Sequence, residues 1–267
     1  MQDEALGGPA AAPWPDAGVE LVQKPVANHP STQRVWAGAL AMGALAGAAA
    51  WLVGEFLVDF HRATTHVVFG SGGPMVIASP AELASTLAKN ATLAFGVLGA
   101  LLGVALGGAG GLLRGSTRSA TVAGILGLAV GLATGVASSM AVLPIYNRIM
   151  DRSDETTAGD LLVPLLTHGA IWSAVGAACG LAFGIGLGGR SRVLRSVLGG
   201  LVGGALGAAV YELIGAFAFP LDRTVQPLSI SWESRLLARE AVAVFVAAGA
   251  AAAYAEPRRG EASEGTS

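Results

Sequence analysis

The stretch from Gly96 to Gly111 constrains the fold more than any other part of the chain. Five of its glycines follow one another at steps of three or four residues, which places them on one face of an α-helix. In water, each interior glycine would cost such a helix up to about 1 kcal/mol relative to alanine. In a bilayer, small residues instead let two helices approach closely. The stretch therefore predicts a membrane helix that packs through its glycine face.

Composition agrees with a membrane location. Hydrophobic residues make up 53% of the chain and charged residues 13%, whereas an ordinary soluble domain carries about 25% charged residues. The apolar residues also come in long blocks, as membrane spans require. The sequence therefore predicts an all-α integral membrane protein whose immediate partner is the lipid bilayer. The net charge of −2 gives no basis for a nucleic-acid partner.

The apolar blocks predict about six transmembrane helices in a membrane domain over residues 34–256. These spans cover residues 35–56, 91–113, 120–143, 165–188, 197–219 and 237–255. Pro144 is expected to end the third span and Pro220 the fifth. Ser79 and Glu82 form a capping-box pattern with proline between them, which predicts that a helix begins at Pro80. Residues 1–33 and 257–267 are expected to be disordered cytoplasmic tails.

The distribution of charge predicts the orientation. The two shortest turns, around residues 114–118 and 190–195, hold five arginines and no acid. The connections at 144–164 and 220–238 together hold six acids and four arginines. By the positive-inside rule, the arginine turns and both termini are cytoplasmic. Few lysines and many alanines, glycines and arginines favour a bacterial cytoplasmic membrane.

Spacing of the small residues also predicts an internal repeat. The second span aligns with the fourth at an offset of 77 residues, and the third with the fifth at an offset of 76. The sixth and first spans would form a third two-helix unit. Any two helices rich in glycine and alanine can align by composition alone, so that alternative stays open.

Ten glycines within the spans are predicted to lie at helix–helix contacts, because a residue without a side chain allows close backbone approach. They are Gly99, Gly103, Gly107, Gly127, Gly131, Gly176, Gly180, Gly184, Gly203 and Gly207.

One acidic residue lies deep in a span. Glu212 falls within the fifth span, where insertion of an acid costs about 3 kcal/mol, and the nearest candidate partner is His168 in the fourth span. Two interpretations stay open. The pair is either a satisfied interhelical hydrogen bond or a proton or cation site open to the outer side.

The remaining patterns predict no catalytic residues, no metal site and no cofactor, because no nucleophile, metal-ligand or phosphate-loop motif occurs. We therefore expect no enzymatic activity. The favoured function is a structural or assembly bundle that supports a membrane-protein partner or a homo-oligomer. The alternative is a small-solute or ion transporter that uses Glu212.

Overall fold

The computed structural model describes residues 30–70, 73–150, 157–219 and 226–255. Within these ranges the chain forms six helices and one β-hairpin. They are α1 (Thr32–Leu57), β1 (His66–Gly70), β2 (Gly73–Ile77), α2 (Pro80–Leu113), α3 (Thr117–Met150), α4 (Thr157–Leu187), α5 (Arg190–Ala218) and α6 (Trp232–Ala255). Most of the two predicted tails, residues 1–29 and 257–267, lies outside the described residues. The same holds for Asp151, Asp154 and Glu155 of the 144–164 connection and for Asp222 of the 220–238 connection.

Five of the helices are long and apolar enough to cross a membrane: α1, α2, α3, α5 and the segment Leu162–Leu187 of α4. The 24-residue α6 is not among these five. It nevertheless belongs to the same bundle, because it packs along α5 and α1. The side chains that these helices turn outward are mostly large and apolar, including Ile125 and Leu132 of α3 and Leu198 and Leu206 of α5.

The helices alternate between inner and outer positions. The inner helices α2 and α4 pack against each other, and α4 also contacts the third inner helix, α6. Each outer helix fills the groove between two inner ones, since α3 contacts α2 and α4, α5 contacts α4 and α6, and α1 contacts α6 and α2. The apolar windows of α2 and α4 are accordingly more buried than those of the outer helices.

The predicted start of α2 is confirmed. The Ser79 hydroxyl accepts a hydrogen bond from the Glu82 amide, and the Glu82 carboxylate accepts one from the Ser79 amide. Pro80 occupies the first turn, where a backbone N–H would have no intrahelical acceptor, so the lack of an N–H on proline costs no hydrogen bond. The helix therefore begins eleven residues before the predicted span at 91 and ends at Leu113, as predicted.

The prediction that Pro144 ends the third span is wrong, because α3 continues through Pro144 to Met150. The fourth helix also contains a proline, Pro164, and begins at Thr157, eight residues before its predicted span. Packed membrane helices tolerate an internal proline because neighbouring groups compensate for the hydrogen bond that it removes. Likewise, Arg192 and Arg195 do not lie in a turn but in the first turns of α5, which starts at Arg190.

The β-hairpin between α1 and α2 was not predicted. Its strands pair antiparallel, with Val67 opposite Val76 and Phe69 opposite Pro74. The sequence does carry a signal for it, because two β-branched apolar runs flank a Gly-Ser-Gly-Gly turn. A hydrogen bond of 3.0 Å between His66 and Glu82 joins the hairpin to the first turn of α2.

All ten predicted packing glycines face the backbone of a neighbouring helix. A Cβ atom at Gly103 would overlap the carbonyl group of Gly127, and one at Gly176 would overlap that of Gly200. Backbone approaches of the same kind occur between α2 and α3 for Gly99–Gly131 and Gly107–Ala123, between α4 and α5 for Gly180–Ser196 and Gly184–Val193, and between α5 and α6 for Gly203–Phe245. The approach of Gly207 to Val242 is looser, since a Cβ atom at Gly207 would lie 3.0 Å from the Val242 Cα atom.

These contacts follow a register different from the one predicted by glycine spacing. Gly176 is 73 residues beyond Gly103, and its contact Gly200 is 73 beyond Gly127. One shift of 73 therefore carries the α2–α3 contact onto the α4–α5 contact, whereas the predicted offsets were 77 and 76.

The pair of α6 and α1, the last and first helices of the chain, has the same pattern of contacts with other offsets. A Cβ atom at Gly43 of α1 would lie 2.6 Å from the Ala247 Cβ atom of α6. Ala247 is 71 residues beyond Gly176, and Gly43 is 157 before Gly200. Alanine thus stands in α6 where α4 has glycine.

Candidate functional site

The structure brings the two predicted site residues together. His168 lies in the fourth turn of α4 and Glu212 in the last two turns of α5, on the side of each helix that faces the bundle. The His168 Nδ1 atom is 2.5 Å from Glu212 Oε1, and the two side chains are 3% and 4% exposed. Gly204, two turns before Glu212, lets α5 approach the backbone of Trp172 closely and so sets this distance.

Three aromatic rings enclose the pair. The indole of Trp172 stacks on the His168 ring with centroids 5.0 Å apart. Phe95 of α2 and Tyr211 of α5 approach the same imidazole edge-on, at 6.4 and 5.7 Å. An apolar enclosure of this kind strengthens the hydrogen bond inside it and makes an unpaired charge there costly.

A hydrogen bond between His168 Nδ1 and Glu212 Oε1 needs one proton between the two atoms. The second ring nitrogen of His168, Nε2, lies 3.5 Å from the carbonyl oxygen of Pro227, which can only accept. With a proton on Nε2, the proton between Nδ1 and Oε1 can belong to either residue, which gives an ion pair or a neutral pair. The two forms contain the same number of protons. The pair can therefore be satisfied without any net charge inside the bundle.

A short polar chain runs from Tyr211, beside the pair, to the surface of the bundle. The hydroxyl of Tyr211, next to Glu212 in sequence, bonds to Ser229 and lies 3.3 Å from the Ser234 hydroxyl. Ser229 also lines a surface cavity of about 660 Å³, whose other polar residues include Asp59, Arg62 and Arg235. Sequence reasoning missed Tyr211, although a polar ring adjacent to a deep acid was a signal for it.

A second polar group lies between α6 and α1. The Arg235 guanidinium binds the Glu55 carboxylate through two hydrogen bonds of 2.7 and 2.6 Å. Arg239, only 5% exposed, donates from Nη1 to the carbonyl oxygens of Ala50 in α1 and Ala94 in α2, at 3.1 and 3.3 Å. These bonds attach α6 to both neighbours at the level where Glu55 ends the predicted first span.

The contact register relates the two polar groups. A shift of 71 residues carries His168 onto Arg239, and a shift of −157 residues carries Glu212 onto Glu55. Both helix pairs, α4–α5 and α6–α1, therefore place a basic side chain on the inner helix and an acid on the outer one. The shift of −73 carries the same positions onto Phe95 and Ser139 in the α2–α3 hairpin, which therefore has no charge at this level.

The described residues contain no cluster of three or more histidine, cysteine or acidic side chains that could hold a metal ion. Cys179 is buried, and its thiol donates a weak bond to the Gly99 carbonyl. The long apolar helices define an integral membrane protein of the all-α class. No protein-family model, curated protein or solved structure matches this chain.

Proposed function

We propose that the chain is a non-catalytic assembly protein of a bacterial cytoplasmic membrane. Its six helices all span the bilayer, with both termini in the cytoplasm, and its glycine and alanine stripes hold them in a rigid bundle. The bundle supports its own oligomer or a membrane-protein partner. We also propose that it arose from three two-helix units, the third formed by α6 and α1. The single shift of 73 residues between the contacts of two hairpins supports that origin.

The enclosure of His168 and Glu212 carries the structural interpretation. Their side chains are almost fully buried, each satisfies the other, and aromatic rings cover the imidazole. Neither residue lines the cavities of about 530, 660 and 400 Å³. A transported ion or solute needs a wet path to its site, whereas a structural pair needs only its hydrogen bonds.

The mass of the detergent-solubilised particle tests this proposal. We expect the purified full-length protein to elute as a stable assembly of several copies, or together with a partner, when its mass is measured by light scattering. A monomer that also conducts protons or a solute across proteoliposome membranes would contradict the proposal.

A second candidate function is favoured by the Tyr211–Ser229 contact. Protons could pass from the surface cavity through Ser229 and Tyr211 to the His168–Glu212 pair, which would make the pair a proton or cation site of a transporter. The two functions differ in whether flux depends on Glu212, and that dependence is measurable.

A further inference from the structure

A cleft of about 530 Å³ lies between α2 and α3 at the outer end of the bundle. This volume is typical of small-molecule sites, which span about 300–1,000 Å³. The cleft lies at the predicted edge of the membrane, since Lys89 closely precedes the second predicted span and Pro144 directly follows the third. It therefore opens where lipid head groups meet the hydrocarbon.

The contact register relates the cleft to the polar pair. The α4–α5 hairpin has the side chains of His168 and Glu212 at the corresponding level. In the α2–α3 hairpin, the position of Glu212 is occupied by Ser139, which donates its hydroxyl to the Gly135 carbonyl of its own helix. Ser139 is fully buried and forms part of the inner wall of the cleft.

The lining of the cleft changes from polar to apolar along α2. Ser85, Lys89 and Leu93 follow one another at four-residue steps and therefore lie on one helix face. Leu93 is about 12 Å deeper than Ser85, at 1.5 Å per residue. On α3, Asn147 lies at the polar end, and Leu143 and Met140 lie at the apolar end. This gradient matches the orientation of a lipid in the outer leaflet.

A cation without an ionic partner lines the cleft. Lys89 forms no ion pair with another described residue, and it is the only lysine in the described part of the chain. A ligand with an anionic head group would pair with it.

We propose that this cleft binds one anionic phospholipid, with its phosphate beside Lys89 and one acyl chain against Leu93, Met140 and Leu143. The assignment to the outer leaflet rests on the orientation proposed above, but the binding itself does not. Met140 is 65% exposed and marks the membrane side of the cleft, where the second chain would continue into bulk lipid.

Native mass spectrometry of the full-length protein, released from non-ionic detergent, tests this proposal. The probes are phosphatidylglycerol and phosphatidylcholine with identical chains. We expect one phosphatidylglycerol to bind about fivefold more tightly than phosphatidylcholine, as one cation near an anionic head group provides. Lys89→Gln should remove this preference, and Lys89→Arg should keep it. Met140→Trp should weaken the binding of both lipids by filling the cleft.

Two controls distinguish a lipid held in this cleft from a general attraction of anions to the protein surface. Arg118→Gln changes an exposed arginine at the opposite end of the bundle, beside a different cavity, and should leave the preference unchanged. Inorganic phosphate added in excess should not displace the lipid. Displacement by phosphate, a preference that survives Lys89→Gln, or binding unaffected by Met140→Trp would overturn the proposal. None of these results would change the mass of the assembly, so the proposed function is tested separately.

Discussion

Ser139 and Glu212 occupy corresponding positions on α3 and α5 and are both buried, yet they have different partners. Glu212 bonds to His168 of the neighbouring helix inside an aromatic enclosure, whereas Ser139 bonds within its own helix, at the inner wall of a cleft. The backbone contacts around the two positions are the same in kind, since Gly131 meets Gly99 as Gly204 meets Trp172. One backbone arrangement therefore supports a sealed polar pair in one hairpin and a cavity in another.

Substitution of a contact glycine should destabilise the bundle. A methyl group at Gly103 would overlap the carbonyl of Gly127, and one at Gly180 would overlap the carbonyl of Ser196. We expect Gly103→Ala and Gly180→Ala each to lower the free energy of unfolding by about 1–3 kcal/mol, because the helices must move apart. Thermal melting in detergent micelles measures the effect.

Gly108 provides the matched control on the same helix. A Cβ atom there would have no neighbour within 4 Å. Gly108→Ala should therefore leave the melting temperature unchanged or raise it slightly, because alanine is the better helix former. Equal losses at Gly103, Gly180 and Gly108 would show that close helix contact is not the reason for the glycines.

Arg239 should be sensitive even to a conservative change. Its Nη1 atom donates to one carbonyl on α1 and another on α2, and the shorter lysine side chain ends before that position. We expect Arg239→Lys to destabilise the protein by about 1.5–3 kcal/mol, the usual contribution of a hydrogen bond to a charged group. An unchanged melting temperature would contradict a bridging role.

The six-span orientation predicts which single cysteines can be labelled from outside intact cells. In a Cys179→Ala background, cysteines at Thr64 and Thr224 should react with a membrane-impermeant maleimide. Cysteines at Gly115 and Ser191 should react only after the cells are opened. Labelling of Ser191 from outside would contradict the proposed orientation.

Some parts of this fold follow from local chemistry and could be predicted. The start of α2 depends on Ser79, Pro80 and Glu82, which act within one turn, and its end at Leu113 follows from the loss of the apolar run. The effect of Pro144 and Pro164 could not be predicted in this way, because it depends on neighbouring helices. A proline ends an isolated helix but is accommodated in a packed one.

The site was predictable only in part, for a related reason. An acid in a span indicates an inward-facing partner, and His168 was the nearest candidate along the depth of the membrane. The enclosure by Trp172 and Tyr211 and the bonds of Arg239 to two backbones depend on which helices are neighbours. A glycine stripe with a four-residue step matches itself after a shift of one turn, so the glycine spacing does not define the register of the helix contacts.

Central to the proposed function is that the His168–Glu212 pair forms a sealed structural contact. Glu212→Gln keeps the shape and the hydrogen bond to Nδ1 but cannot ionise, and its melting temperature in detergent should remain close to that of the wild type. Glu212→Leu should destabilise the protein because it leaves the buried Nδ1 atom of His168 without a partner.

Proton flux into proteoliposomes, followed with an enclosed pH-sensitive dye, tests this claim most directly. Wild-type protein and Glu212→Gln are compared at equal protein content and under the same imposed pH gradient and membrane potential. We predict the same flux for both, equal to that of protein-free liposomes. A flux in the wild type that Glu212→Gln abolishes, at an unchanged melting temperature, would contradict the sealed structural role of the pair.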